Sequence, residues 1–392
     1  MRLLGMGEKI DGMHDDGGSQ GTAASRLLSA TTIWSDAPAP PAPKPVSVSP
    51  PAPVVPAPAP VEVVPAARIE QTRAGPWPPR RLSLALQGGG TFAAFTWGVL
   101  ERLLEEPIEI DTISGASAGA INALLLASGL AEGGREAARS RLSRFWLRLM
   151  HEASFRSLML VGGFSPAGSS VAFGPTLRSG QFDPFDLDPL RQALSRDIDF
   201  AGLRGARSPK LLIAATRIRD GQQQIFRNDA LTADVALAST CPPLVHCAVE
   251  IEGEAYWDGG FGGNPPLLRL AQETTTSDVL LVQVTPARDS YVPITLAAID
   301  RRLDQIAANA ALNAELAAIA WSQAHAAPSL RLTRIAAEDS VDGLAQRSST
   351  DLGRGFIRLL HRNGRHAAER WLGQGATATQ DAAPARAEPA LV

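Results

Sequence analysis

The stretch IDTISGASAGAINALLLAS, residues 110–128, decides the fold. Its opening, Ile110 to Ile113, is β-rich, and its close, Ala118 to Ser128, is an alanine- and leucine-rich helical run. Between them stands Gly115-Ala116-Ser117-Ala118-Gly119. In such a G-x-S-x-G the serine occupies a sharp strand-to-helix turn, and the flanking glycines leave room for the tight backbone and for a substrate. A helix starting there aims free N–H groups and the positive end of its dipole at charge developing nearby. Ser117 is therefore the candidate nucleophile, with Gly115 and Gly119 supporting its turn. Small residues also let a helix pack closely on a sheet, so the pattern gains its weight from the strand, turn and helix occurring in that order.

The same alternation continues outward. Leu82 to Leu86 reads as a strand followed by a helix over Phe92 to Glu105, whose Phe92, Phe95, Val99, Leu100 and Leu103 recur at helical spacing. Leu211 to Thr216 and Val279 to Thr285 are unbroken apolar runs suited to strands buried on both faces. Val249 to Trp257, interrupted by Gly253, reads as a hairpin. Leu296 to Gln323 and Gly355 to Leu372 read as helices, with a strand at Leu330 to Ile335 between them. Together these predict an α/β fold with a mostly parallel central sheet flanked by helices on both faces, in three layers.

Half of the 30 prolines fall between Pro38 and Pro79, interleaved with Ala and Val. Residues 1–79 are accordingly expected to be a disordered Pro/Ala-rich arm, 80–374 a single folded domain, and 375–392 a disordered tail. With 37 Lys+Arg against 40 Asp+Glu and a net charge of -3, the chain lacks the basic footprint of a nucleic-acid binder. Cys241 and Cys247 could form at most one bridge and give no disulfide framework, which favours a reducing compartment. No long apolar stretch marks a secretory signal or a spanning helix, so the expected location is cytoplasmic.

Two further glycine-framed segments complete a candidate site. Gly88-Gly89-Gly90 follows a strand and precedes a helix, so its N–H groups can line an oxyanion pocket; such donors are worth roughly 3 kcal/mol each in other hydrolases. The same segment also fits a dinucleotide fingerprint, with Gly88, Gly90 and Ala93 in G-x-G-x-x-A and Glu109 or Asp111 about 20 residues on. That rival leaves Ser117 and the later acid unexplained. A triad would need a histidine after the acid, and His325, His361 and His366 all read as solvated surface positions. Asp258, after Tyr256-Trp257 and before Gly259 and Gly260, sits where a carboxylate can approach another loop and serve Ser117 as a base. An Asp-Gly-Gly by itself also suits an ordinary hairpin turn.

With these three pieces in order, residues 80 to 375 resemble the patatin-like phospholipases, serine acyl hydrolases that use a Ser-Asp dyad. Ala238-Ser239-Thr240-Cys241-Pro242-Pro243-Leu244 and Asn264-Pro265-Pro266 are similar to the family's stretches before the hairpin and after the aspartate. The resemblance implies Ser117 as nucleophile, Asp258 as general base and Gly88 to Gly90 as oxyanion donors, with neither metal nor organic cofactor. The implied substrate is an acyl-ester lipid: phospholipid, neutral lipid or an intracellular polyester such as a polyhydroxyalkanoate. Phe92 and Ala93 depart from the family's G-G-G-x-R/K-G, which shifts the expectation from anionic headgroups toward less polar esters.

Two surface features bear on partners. Arg135, Arg139, Arg141, Arg144 and Arg148, interleaved with Phe145, Trp146, Leu147 and Leu149, suit either a packed helix with solvated arginines or a peripheral membrane contact. Met159 to Val171, rich in Gly and Ser, suits a lid. Outside hydrolysis, a non-catalytic scaffold would use the proline-rich arm to recruit a protein partner.

Overall fold

The computed structural model describes residues 76–152, 188–241, 248–325 and 330–380. All of these fall in one compact unit, Arg68–Val392; the other unit, Met1–Ala67, lies outside the described residues. So do most of the expected arm, the end of the tail, Cys247 and the Met159 to Val171 lid.

Eight strands form one sheet: β1 (Arg81–Leu86), β2 (Glu109–Ala116), β3 (Lys210–Arg217), β4 (Gln223–Phe226), β5 (Val249–Ile251), β6 (Glu254–Asp258), β7 (Asp278–Gln283) and β8 (Arg331–Ala336). Their order is β5-β6-β3-β2-β1-β7-β8, with β4 pairing β3 off that path. The pairs β3-β2, β2-β1, β1-β7 and β7-β8 are parallel, whereas β4, β5 and β6 run antiparallel to their partners. The apolar runs within β3 and β7 are buried on both faces, as their place in the parallel part of the sheet requires.

Around the sheet lie α1 (Ala93–Leu103), α2 (Ala118–His151), α3 (Asp188–Asp197), α4 (Ala233–Thr240), α5 (Leu267–Glu273), α6 (Leu296–His325) and α7 (Arg354–Gln380). Alternation along β1 splits the core in two. Leu82, Leu84 and Leu86 face one side, where α1, α2 and α7 bury Phe95, Leu124 and Ile357. Ala85 faces the other, with Val279 and Leu281, under Leu267 and Leu270 of α5 and Leu312 and Ile319 of α6. This is the three-layer α/β arrangement, made by the two-residue period of the strands.

Helices α1 and α7 cross at close range because each carries a glycine at the crossing. A Cβ on Gly98 would collide with the His361 carbonyl, and one on Gly364 with that of Phe95. Helix α2 is longer than the run that announced it and bends at Gly133 and Gly134, the latter at φ 71. Its second half buries Leu142, Phe145, Trp146 and Leu149. The arginines there are tied to the chain itself: Arg139 pairs with Glu105 and Glu136, Arg141 with Glu132, and Arg148 with Asp197.

The chain is ordered earlier and later than its composition suggested. Trp77 packs edge-on against Trp371, its indole N–H reaching the Trp371 and Leu372 carbonyls. At the other end, α7 continues through Gln380. No helix among the described residues is long and apolar enough to cross a membrane.

Candidate active site

The turn after β2 puts Ser117 at φ 55 and ψ -135. A non-glycine residue there carries backbone strain on the order of 1–3 kcal/mol. Its surroundings hold it: the Ser117 N–H donates to the Ser239 carbonyl at 3.1 Å, and its own carbonyl accepts from Ala120 at 2.9 Å, opening α2. The flanking glycines are needed at this turn. A Cβ on Gly119 would strike the Leu86 carbonyl, and one on Gly115 would lie 2.8 Å from the Gly119 oxygen.

Asp258 ends β6, opposite Ala215 of β3. Its N–H donates to the Cys241 carbonyl at 2.9 Å and its carbonyl accepts from the Thr216 hydroxyl at 2.8 Å. Gly259 follows with its Cα against the Ala214 carbonyl, where no side chain fits. The carboxylate is thereby aimed back at the β2 turn. Oδ2 accepts from Ser117 Oγ at 2.8 Å and Oδ1 from the Gly260 N–H at 2.7 Å. Residues 141 positions apart in the chain thus share a hydrogen bond. Asp258 is 1% exposed. Burial pushes its carboxyl up to about 7, against the opposing pull of the Gly260 and Ser117 donors.

The glycine loop lies against this pair. A Cβ on Gly88 would sit 2.5 Å from the Ala116 carbonyl and 2.6 Å from Ser117 Cβ, so only glycine permits the approach. The Gly88 N–H is already engaged by Asn264 Oδ1 at 2.6 Å, while Asn264 Nδ2 and Thr285 Oγ1 both donate to the Gly88 carbonyl at 3.1 Å. Among the described residues, the Gly89 and Gly90 amides donate to no protein acceptor, and Gly90 takes φ 56. Gln87 anchors the start of the loop, accepting from the Val284 and Thr285 N–H groups at 2.9 Å and donating to Asn309.

These groups line a cavity of about 390 Å³ together with Phe92 and residues of α6. The α6 face turned into it carries Asp300, Arg301 and Asp304. Burial, then the neighbouring charge of Asp300, pushes the Asp304 carboxyl up to about 7.

Of the residues singled out in the sequence, Ser117, Asp258, Gly88 to Gly90 and Gly260 meet in one cavity, while Gly115, Gly119 and Gly259 allow the close backbone contacts behind it. None of the three histidines lines it. His361 is also less exposed than expected: it stacks on Trp97 at 3.8 Å and bonds to Glu101. Asp111, the acid of the dinucleotide fingerprint, lies in the first half of β2, on the far side of that strand's length from Ser117, and is fully engaged. It accepts from the Thr275 hydroxyl at 2.7 Å and N–H at 2.9 Å and pairs with Arg81 at 2.7 Å. Glu109 pairs with Arg81 at 3.5 Å. Sequence reasoning assigned no role to Gln87 or Asn264. A glutamine immediately before a glycine run was the available signal for the first, whereas Asn264 is 176 positions from the loop it clamps.

The chain is similar to VipD from Legionella pneumophila at 15% identity, over 76% of this chain and 67% of that one, with a TM-score of 0.39. It is similar to ExoU of the Pseudomonas aeruginosa type III secretion system, solved in complex with SpcU, at 16% identity over 75% of this chain, with a TM-score of 0.33. The chain spans about half of that protein, 53% of its length. No curated protein matches the sequence. The family model for patatin-like phospholipases matches residues 84–271, a span that includes the glycine loop, Ser117 and Asp258. Over those residues the chain carries a patatin-like phospholipase domain, which supports a lipid acyl hydrolase in general terms.

Proposed function

We propose that the chain is a serine acyl-ester hydrolase acting on lipids, with Ser117 as nucleophile and Asp258 as its general base. The observation that carries this reading is the 2.8 Å hydrogen bond from Ser117 Oγ to a buried carboxylate beside two unengaged glycine amides. Ser117 attacks the ester carbonyl as its proton passes to Asp258, and the resulting oxyanion is received by the Gly89 and Gly90 N–H groups. Collapse expels the alcohol, which takes the proton from Asp258. Water then attacks the acyl-enzyme, with Asp258 accepting its proton, and Ser117 is regenerated.

A carboxyl with a proton affinity near 7 suits both halves of this cycle, since it takes and returns a proton at little cost near neutral pH. Gly88 has a different part: Asn264 occupies its amide, and that clamp fixes the direction of the next two. The Ser117 strain fits a nucleophile held at a strand end facing the cavity.

Phe92 lines the cavity at the position where the family pattern has a basic residue, but Arg301 and Arg347 also line it, so the substrate classes are separated by assay and not by the lining charge. Purified protein should release p-nitrophenol from a medium-chain acyl ester, and Ser117→Ala should abolish release while leaving the fold intact. Release that persists in the Ser117→Ala protein would remove this reading. A profile of products from a lipid extract, against polyester granules, separates the substrate classes.

A further inference from the structure

Over its first half helix α6 is amphipathic in the reverse sense, whereas further along Leu312 and Ile319 face the core. Its sheet-facing side carries the polar Gln305 and Asn309, both buried, where Asn309 bonds to Gln87, Gln283 and the Pro286 carbonyl. Its outward side carries Leu296, Ile299, Leu303, Ile306, Ala310 and Trp321, all exposed. From Leu296 to Ala310 these recur at three- and four-residue steps, so they form one stripe along the first half of the helix; Trp321 stands eleven residues further on, past the exposed Asn313. The stripe extends past the helix start into the preceding loop, where Val292 and Ile294 are 86% and 89% exposed beside Tyr291. Isolated exposed apolar side chains are ordinary; a contiguous stripe of this length marks a surface that something covers.

Two features of the stripe select the occupant. It adjoins the cavity: Asp300 and Asp304 line the pocket from the helix face one residue step, about 100°, round from Ile299 and Leu303. Whatever covers the stripe therefore borders the cavity's α6 wall. It also has Tyr291, 71% exposed, at its loop end, a side chain that favours the boundary between hydrocarbon and headgroup. No Lys or Arg lies among the stripe residues, and Arg301 and Arg302 of the same helix are engaged by the Ala345 and Ala287 carbonyls. We propose that the α6 stripe and the 291–294 loop form a surface that docks on lipid by apolar insertion, bringing the cavity to its substrate. The proposal deepens the hydrolase reading and rests on it for the choice of lipid over a second copy of the chain.

The test uses the full chain with Ser117→Ala, so that lipid is bound without turnover, and phosphatidylcholine vesicles with no anionic lipid. Co-sedimentation should show binding that raised salt leaves unchanged. Replacing Leu303 and Ile306 by Gln, and separately Val292 and Ile294 by Asn, should each weaken partitioning at least about tenfold, because the apolar area buried in lipid falls. The same pairs in the wild-type background should leave hydrolysis of a water-soluble ester unchanged, which also certifies their fold. Absence of vesicle binding, binding indifferent to both pairs, or binding confined to anionic vesicles and released by salt would overturn the proposal. So would a concentration-dependent dimer that the Leu303 and Ile306 substitutions dissociate, since a second copy would then be the occupant. Failure of the soluble-ester assay in wild-type protein would strike the hydrolase reading instead, and the sedimentation result would stand apart from it.

Discussion

Asp258→Asn should stabilise the protein at alkaline pH while destroying its activity. The folded protein holds the Asp258 carboxyl at about 7 against its ordinary value of 3.8, and burial is the main cause. An acid whose folded pKa is raised binds its proton more tightly when folded. Its contribution to stability is therefore complete below about 3.8, falls as pH rises, and is lost above about 7. At 1.36 kcal/mol per unit, a shift of about three units amounts to about 4 kcal/mol, of which roughly 3 kcal/mol falls between about pH 5 and about pH 8. Asparagine is nearly isosteric, can still accept from Gly260 and face Ser117, and does not titrate. Urea unfolding of both proteins at those two pH values isolates the effect, because every other titrating group cancels in the double difference. The stability of the variant relative to wild type should rise by about 3 kcal/mol from the lower pH to the higher. Parallel stabilities would refute the claim that this carboxylate is held charged against its surroundings.

Other outcomes follow from the same geometry. The acid limb of kcat/KM should fall tenfold per pH unit below about 7, because Asp258 must be unprotonated to receive the Ser117 proton; an acid limb near 4, read from a pH-rate profile, would contradict this. Asn264→Ala removes the partner of a buried amide, so it should cost about 1–3 kcal/mol in denaturant unfolding and lower kcat on p-nitrophenyl esters about 10- to 100-fold as the glycine loop loses its direction. Gly88→Ala should lower kcat by at least about 100-fold with a modest change in Tm, since the new methyl meets the Ala116 carbonyl and Ser117 Cβ at the reacting centre. Gly98→Ala is the structural counterpart: by separating α1 from α7 it should lower Tm, while the folded fraction keeps its turnover.

What could be read along the chain was whatever local chemistry enforces. A serine between glycines after a β-run, a triple glycine after another, and Asp-Gly-Gly after aromatics are each demanded by backbone geometry within a few residues, as the collisions at Gly88, Gly119 and Gly259 make plain. The parallel strands β1, β3 and β7 were legible from their apolar cores, LAL, LLIAA and VLLV, which burial on both faces requires. β4 was not, because its sequence, QQIF, sits at the sheet's irregular side and is only half-buried. The Asn264 clamp and the Gln87-Asn309 link depend on contacts across 176 and 222 positions, for which the sequence holds no local trace. The α6 segment was legible as a helix, yet periodicity reports that a stripe exists and not what it faces. Gln305 and Asn309 turn inward because Ala345, Gln87 and Thr285 offer them partners, and this sends Leu296, Ile299, Leu303 and Ile306 out, while Leu312 and Ile319 further along stay in the core.

The central claim, that Ser117 is a nucleophile activated by Asp258, is tested most directly by covalent capture. Protein incubated with a fluorophosphonate and mapped by mass spectrometry should carry one adduct, on Ser117. Labelling should be absent from folded Ser117→Ala and slowed in Asp258→Asn by about the 10²–10⁴-fold that a general base supplies. An adduct on another residue, or equal labelling rates in wild type and Asp258→Asn, would contradict it.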